Sequence, residues 1–128
     1  MQFPQERNDH LVNLLTIARF DATPANRAAV QEELLHGRAL LIVQARPVPG
    51  DSRRVEFTHT PVIDGRVTLF TFTSEAALRT WSTEDMELVI VPSGPFFQSC
   101  AKNGIGTVVV DPGTPNELRI GLGRSAAA

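Results

Sequence analysis

Leu69-Phe-Thr-Phe-Thr-Ser-Glu-Ala-Ala-Leu-Arg-Thr-Trp81 is a strand that runs straight into a short helix, and its reading decides the fold. Val67, Leu69, Phe70 and Phe72 alternate with Thr68, Thr71 and Thr73, a composition that suits a pleated, partly buried strand. Val67 and Leu69 fall on one side of that strand and Phe70 and Phe72 on the other, so both faces are expected to be covered, or a bulge to intervene. Thr73 or Ser74 then supplies an N-cap oxygen, Glu75 an anion in the first turn, and Ala76, Ala77 and Leu78 favour helix. Leu78 and Trp81 are three apart and share a face, which predicts a largely buried Trp81.

Working outward towards the N-terminus, Asp64-Gly65 separates Val62-Ile63 from Val67 and predicts a tight hairpin, because a type I′ turn needs positive φ at both central residues. Pro61 ends the preceding strand candidate around Val55–Thr58 or places it on an edge. Arg46-Pro47-Val48-Pro49-Gly50-Asp51 reads as a loop, and Arg53-Arg54 as a surface loop. Ala39–Val43 is a continuous apolar run, short enough for a strand buried on both faces. Before it lie two helices. Leu11, Leu14, Leu15 and Ala18 form one apolar stripe from Asp9 to Phe20. Thr23 and Pro24 then have the chemistry of an N-cap and a first helical residue, and Gly37 that of a stop.

Downstream, Leu88–Val91 and Thr107–Val110 are two more buried-strand runs. Between them Pro95 is preset for the first turn of a helix carrying Phe96, Phe97 and Cys100, which closes at Asn103-Gly104. Glu117–Ile120 reads as a last edge strand, and residues 121–128 as a frayed tail. The expected architecture is α+β: a single domain over residues 1–128, with one mixed sheet, short helices packed on it and two leading helices. Ala39–Val43, Val67–Phe72, Leu88–Val91 and Thr107–Val110 share that sheet. The helices between the last three predict parallel neighbours.

A chain of 128 residues has room for one core. A net charge of −2 argues against a nucleic-acid surface, which needs a dense basic face. No run approaches the ~20 apolar residues that cross a membrane, and the first residues lack the plan of a signal peptide. One cysteine allows no internal disulfide and suits a reducing cytoplasm.

Phe70 to Trp81, the Val89–Val91 strand and its short helix, Gly104-Ile-Gly-Thr-Val-Val-Val110 and Asp111-Pro-Gly113 together resemble the N-terminal domain family of SseB-type proteins, the bacterial "enhanced serine sensitivity" proteins. The resemblance covers about residues 39–120, with the leading helices a looser fit. The family pattern carries Asn-Pro-Gly where this chain has Asp111, and both residues favour such a turn. The resemblance implies a small cytosolic bacterial α+β domain with no established catalytic residues and no cofactor.

Reading the residues for chemistry gives few candidates. His10, His36 and His59 form no metal-spaced pair with each other or with Cys100, so no metal site is expected. Cys100 sits among aromatic residues and reads as packing rather than as a nucleophile, which would need a lowered pKa and a positioned base. Gly104-Ile-Gly106 is too short for a dinucleotide loop and precedes a strand. The helix start at Ser93-Gly94-Pro95 offers free backbone N–H groups to an anion. With Phe96 and Phe97, Ser93 and Gly94 are therefore the candidate ligand or partner contacts. Two functions follow. The first is a non-catalytic protein-interaction or scaffold module, paired with a protein partner or with itself as a homodimer. The second is a small-molecule sensor or minor enzyme with a pocket near the helix at Ser93. No catalytic residue and no cofactor is assigned in either.

Overall fold

Helix α1 spans Asp9–Phe20 and α2 spans Pro24–His36, preceded by a single 3-10 turn at Gln5–Asn8, in a computed structural model that describes residues 3–122 apart from the side chains of Ser52 and Arg53. The local chemistry accounts for both helices. Thr23 Oγ1 accepts from the Asn26 N–H at 3.1 Å, and Pro24 occupies the first helical position, where its missing N–H costs nothing. Leu11, Leu15, Val30 and Leu34 are the buried stripe.

The sheet has seven strands: β1 Leu40–Val48, β2 Asp51–Phe57, β3 Val62–Ile63, β4 Arg66–Phe72, β5 Leu88–Pro92, β6 Thr107–Val110 and β7 Leu118–Gly121. Two helices interrupt it, α3 at Glu75–Trp81 and α4 at Ser93–Lys102. Across the sheet the order is β5, β1, β4, β6, β7, with β2 on the C-terminal half of β1 and β3 on the start of β4. The Asp64-Gly65 turn has φ of 54° and 77°, as a type I′ hairpin demands. The tail predicted from 121 onward is ordered at its start, because Gly121 belongs to β7; residues 123–128 lie outside the described residues.

Three expectations need correction. Only β4 and β6 are parallel neighbours. β5 runs in their direction but is separated from β4 by β1, antiparallel to both. A helical crossover sets the direction of the next strand and leaves adjacency open, and the apolar run of β1 takes the central slot. The loop expected at 46–51 is instead the continuation of β1 into a hairpin. Pro47 sits in the strand opposite Val55 beside a register shift, a place where its missing N–H is tolerated. Arg53-Arg54 accordingly lies in β2 rather than in a loop. Helix α4 begins at Ser93, as expected, with Pro95 in its first turn.

Alternation along β4 divides the core. Val67 and Leu69 face a large cluster with α1, α2 and α4; Phe70 and Phe72 face a smaller one under α3. Two buried polar side chains pin the strand ends between these layers. Asn8, fully buried, donates to the carbonyls of Leu40 (2.7 Å) and Thr73 (2.8 Å) and accepts from the Leu40 N–H (2.8 Å). Asp111, in left-handed backbone (φ 51°), accepts from the Thr73 N–H (2.7 Å) and hydroxyl (2.6 Å). Removing Asn8 strands three backbone groups, each costing about 1–3 kcal/mol when left unpaired in the interior. Asn8→Ala is therefore expected to lower unfolding free energy by about 3 kcal/mol or more in denaturant titration, whereas Asn13→Ala, exposed on α1, stays within about 0.5 kcal/mol.

Candidate functional site

The sheet face beneath α3 is covered by less helix than the opposite one. The opposite face carries three helices; this one carries seven residues of helix, capped by Ser74, whose Oγ accepts from the Ala77 N–H at 3.0 Å. Ile42, Phe72 and Leu78 are buried there, while Phe3, Phe70, Trp81, Met86, Leu88 and Ile90 are partly buried around them. Trp81 packs into this cluster as its spacing from Leu78 predicts, although it stays short of the full burial of Leu78. A helix this short covers only the residues directly under it, and Trp81 is its last residue.

The aromatic side chains are nevertheless ordered against one another. The Trp81 ring lies 5.5 Å from both Phe70 and Phe72, and His59 stacks on Phe70 at 5.9 Å and meets Trp81 at 5.8 Å. Such tilted and offset pairs add to the area they bury. His59 was not singled out by sequence as part of any aromatic group; the segment bringing it there is a loop with no periodicity to read. Gln44, on the β1 position that faces the same side as Ile42, has its buried Oε1 without a hydrogen-bond partner among the described residues.

The residues expected to contact a ligand or partner at the start of α4 occupy a helix–helix junction. Ser93 is buried and its hydroxyl donates to the Leu34 carbonyl at 2.5 Å. A Cβ at Gly94 would stand 2.6 Å from the Leu35 carbonyl oxygen, so glycine permits this close approach of α4 to α2. Phe96 and Phe97 are both buried and meet edge to face at 5.3 Å. They back onto two different cavities: Phe97 lines one of about 670 Å³ shared with Leu34, Leu35, Ala101, Ile120 and Leu122, and Phe96 one of about 750 Å³ with Val55, Phe57, Val67 and Val91. The structure therefore brings Ser93 and Gly94 together against α2 and packs the two phenylalanines against each other in the core, each backing onto a different cavity.

The titratable groups are in structural settings. Cys100 is fully buried, and burial pushes its thiol up to about 12, so it is protonated at neutral pH and lacks the thiolate a nucleophile requires. His10 Nε2 lies 3.9 Å from Glu33 and His36 is exposed on α2. No group of three or more His, Cys, Asp or Glu gathers among the described residues in a way that could hold a metal ion. None of the described helices is long and apolar enough to cross a membrane.

An α+β domain with a central antiparallel strand, a parallel β4–β6 pair and one aromatic face under a short helix is the class these observations define. Within that class, the family model of the SseB protein N-terminal domain matches residues 11–121, from the first turn of α1 onward, and the chain belongs to that family. Comparison with curated proteins and with solved structures gives no match.

Two outcomes follow from the buried groups. Iodoacetamide at neutral pH should leave Cys100 unmodified in the folded protein and label it fully in denaturant, as read by intact mass. Asp111 is held above the ordinary carboxylate range by desolvation, only partly offset by its two hydrogen bonds from Thr73. A raised native pKa means that its contribution to stability is fully present below the unfolded value and is lost as pH rises through the native one. Asp111→Asn keeps one acceptor oxygen for the Thr73 N–H and the tolerance for left-handed backbone, while its amide N–H donates to the Thr73 hydroxyl in place of the second accepted bond, without the charge. Across that acid window the stability of Asp111→Asn should gain steadily on that of wild type as pH rises, after which the difference between them stays constant. Denaturant midpoints at closely spaced pH values measure the difference.

Proposed function

We propose that this chain is a single non-catalytic interaction module of a bacterial SseB-like protein, working in the cytoplasm, and that the face beneath α3 docks a second copy to form a homodimer. The observation that carries this reading is the partly buried strip of Phe70, Trp81, Met86, Leu88 and Ile90, next to a fully buried Phe72 and Leu78. Contiguous apolar surface framed by ordered aromatic rings is what interaction surfaces present, and a two-fold axis makes one such patch its own complement. Membership of the SseB N-terminal domain family supports the module; the single buried thiol suits a reducing compartment. No nucleic-acid or membrane role is proposed.

The cavity of about 670 Å³ behind Phe97 favours a second reading, a small-molecule sensor whose pocket adjoins the helix that Ser93 and Gly94 seat against α2. Its size and largely apolar wall lie within the range of ligand sites. Affinity capture from cell extract, with proteins and metabolites identified together, separates the two readings.

Sedimentation equilibrium tests the homodimer directly. Wild-type protein should rise from monomer towards dimer mass through the micromolar range. Trp81→Ala should shift that transition to higher concentration by at least tenfold, while remaining folded. Its loss of stability should be about 2 kcal/mol, below the ~3–5 kcal/mol of a fully buried aromatic. A monomer mass for wild type at high micromolar concentration removes self-association.

A further inference from the structure

On the same sheet face as Trp81, but at the far end of β4, two arginines converge on a cavity of about 280 Å³. Arg66, Arg119, Thr68, Thr107, Phe70 and Val109 shape it, with the Ile63-Asp64 hairpin and Gly121 at its rim. The register explains the grouping. Thr68 on β4 pairs with Thr107 on β6, Thr107 with Gly121 on β7, and Val109 with Arg119, so these side chains share one side of three adjacent strands.

Room for the Arg66 side chain depends on two glycines. A Cβ at Gly106 would lie 3.0 Å from the Arg66 Cβ, and one at Gly121 would lie 3.2 Å from Nη1. The side chain is therefore laid across the sheet rather than extended away from it. Its guanidinium has no hydrogen bond or ion pair among the described residues. Arg119 is held through Nε by Glu117 at 3.5 Å, with 63% of its side chain exposed, and its terminal nitrogens make no other bond among the described residues. Asp64 at the rim forms no ion pair with either arginine. Two arginines lining one concave site, one of them without a counter-ion, offer fork-shaped donors that match the geometry of an oxyanion.

We propose that this cavity binds a small oxyanion-bearing molecule, a carboxylate or a phosphate monoester, between Arg66 and Arg119, with the Thr107 hydroxyl as a further donor and Phe70 and Val109 as an apolar floor. The site is separate from the cavity behind Phe97 and does not depend on the dimer. Its volume, at the lower end of those that hold small ligands, limits the guest to a few heavy atoms beyond the anionic group.

Thermal unfolding and two-dimensional amide NMR, with inorganic phosphate and with succinate at constant ionic strength, test it. Wild type should show a saturable rise in Tm with at least one of the two anions, and saturable shifts of the Thr107, Gly121 and Arg66 amides. The anion that saturates at the lower concentration identifies the preferred class. Arg66→Gln and Arg119→Gln, both at exposed positions, should match wild type in chloride and each raise the saturating concentration at least tenfold. Arg119→Lys, which keeps the charge but not the fork, should recover only part of that loss. If wild type and both Gln variants respond equally to both anions, or if no amide shift saturates, the site does not exist.

Discussion

Thr73 is held from three directions at the point where β4 turns into α3, and the rest of the fold depends on that junction. Its N–H and hydroxyl both donate to Asp111 at the end of β6, and its carbonyl accepts from Asn8 at the start of α1. Asn8 also pairs with both backbone groups of Leu40, the first residue of β1. One residue thus ties the central strand, the parallel pair and the leading helices to a common point. All three side chains are nearly or fully inaccessible to water, where hydrogen bonds are strong and an unmade one is costly. Such a network rewards only one arrangement of its strands.

From that junction the two faces of the sheet acquire different characters. Three helices converge on the face of Leu69 and Val108, where Gly94 lets α4 approach α2 at backbone distance. On the other face α3 is the one helix among the described residues, because the segment after Trp81 returns directly to β5. The surface there is divided in kind along its length. Aromatic and aliphatic side chains occupy the end near Trp81; arginine and threonine occupy the end near the β3–β4 hairpin. An apolar surface suited to a protein and a basic hollow suited to a small anion therefore lie side by side on one face, with Phe70 common to both.

The charged form of Asp111 illustrates how the network trades stability against specificity. Desolvation disfavours the carboxylate, yet the same side chain organises the junction. Asparagine has the same reach and the same tolerance of left-handed backbone, so the charge is not what the geometry requires. Cys100, by contrast, is a neutral filler among Phe96, Phe97 and Ile105, and its burial removes it from chemistry at neutral pH.

Local chemistry in the sequence determined every helix and most strands. The Thr23-Pro24 cap, the Asp64-Gly65 turn and the Ser74 cap act through contacts between residues a few positions apart, so they are legible without a fold. The split of β4 into two faces was legible for the same reason, since alternation is a property of the strand itself. What lay beyond reach was set by distant partners. The insertion of β1 between β4 and β5 depends on which strands compete for the centre, and a crossover length does not encode it. The meeting of Trp81 with His59 depends on where a loop without periodicity is carried by the fold. The placement of Ser93 and Gly94 depends on the carbonyls of Leu34 and Leu35, nearly sixty residues away. The joining of Arg66 to Arg119 needs the register of three strands before it exists at all. Short-range hydrogen bonds and periodicity can be read along the chain; side chains brought together by sheet order cannot, because adjacency across strands is a property of the folded packing alone.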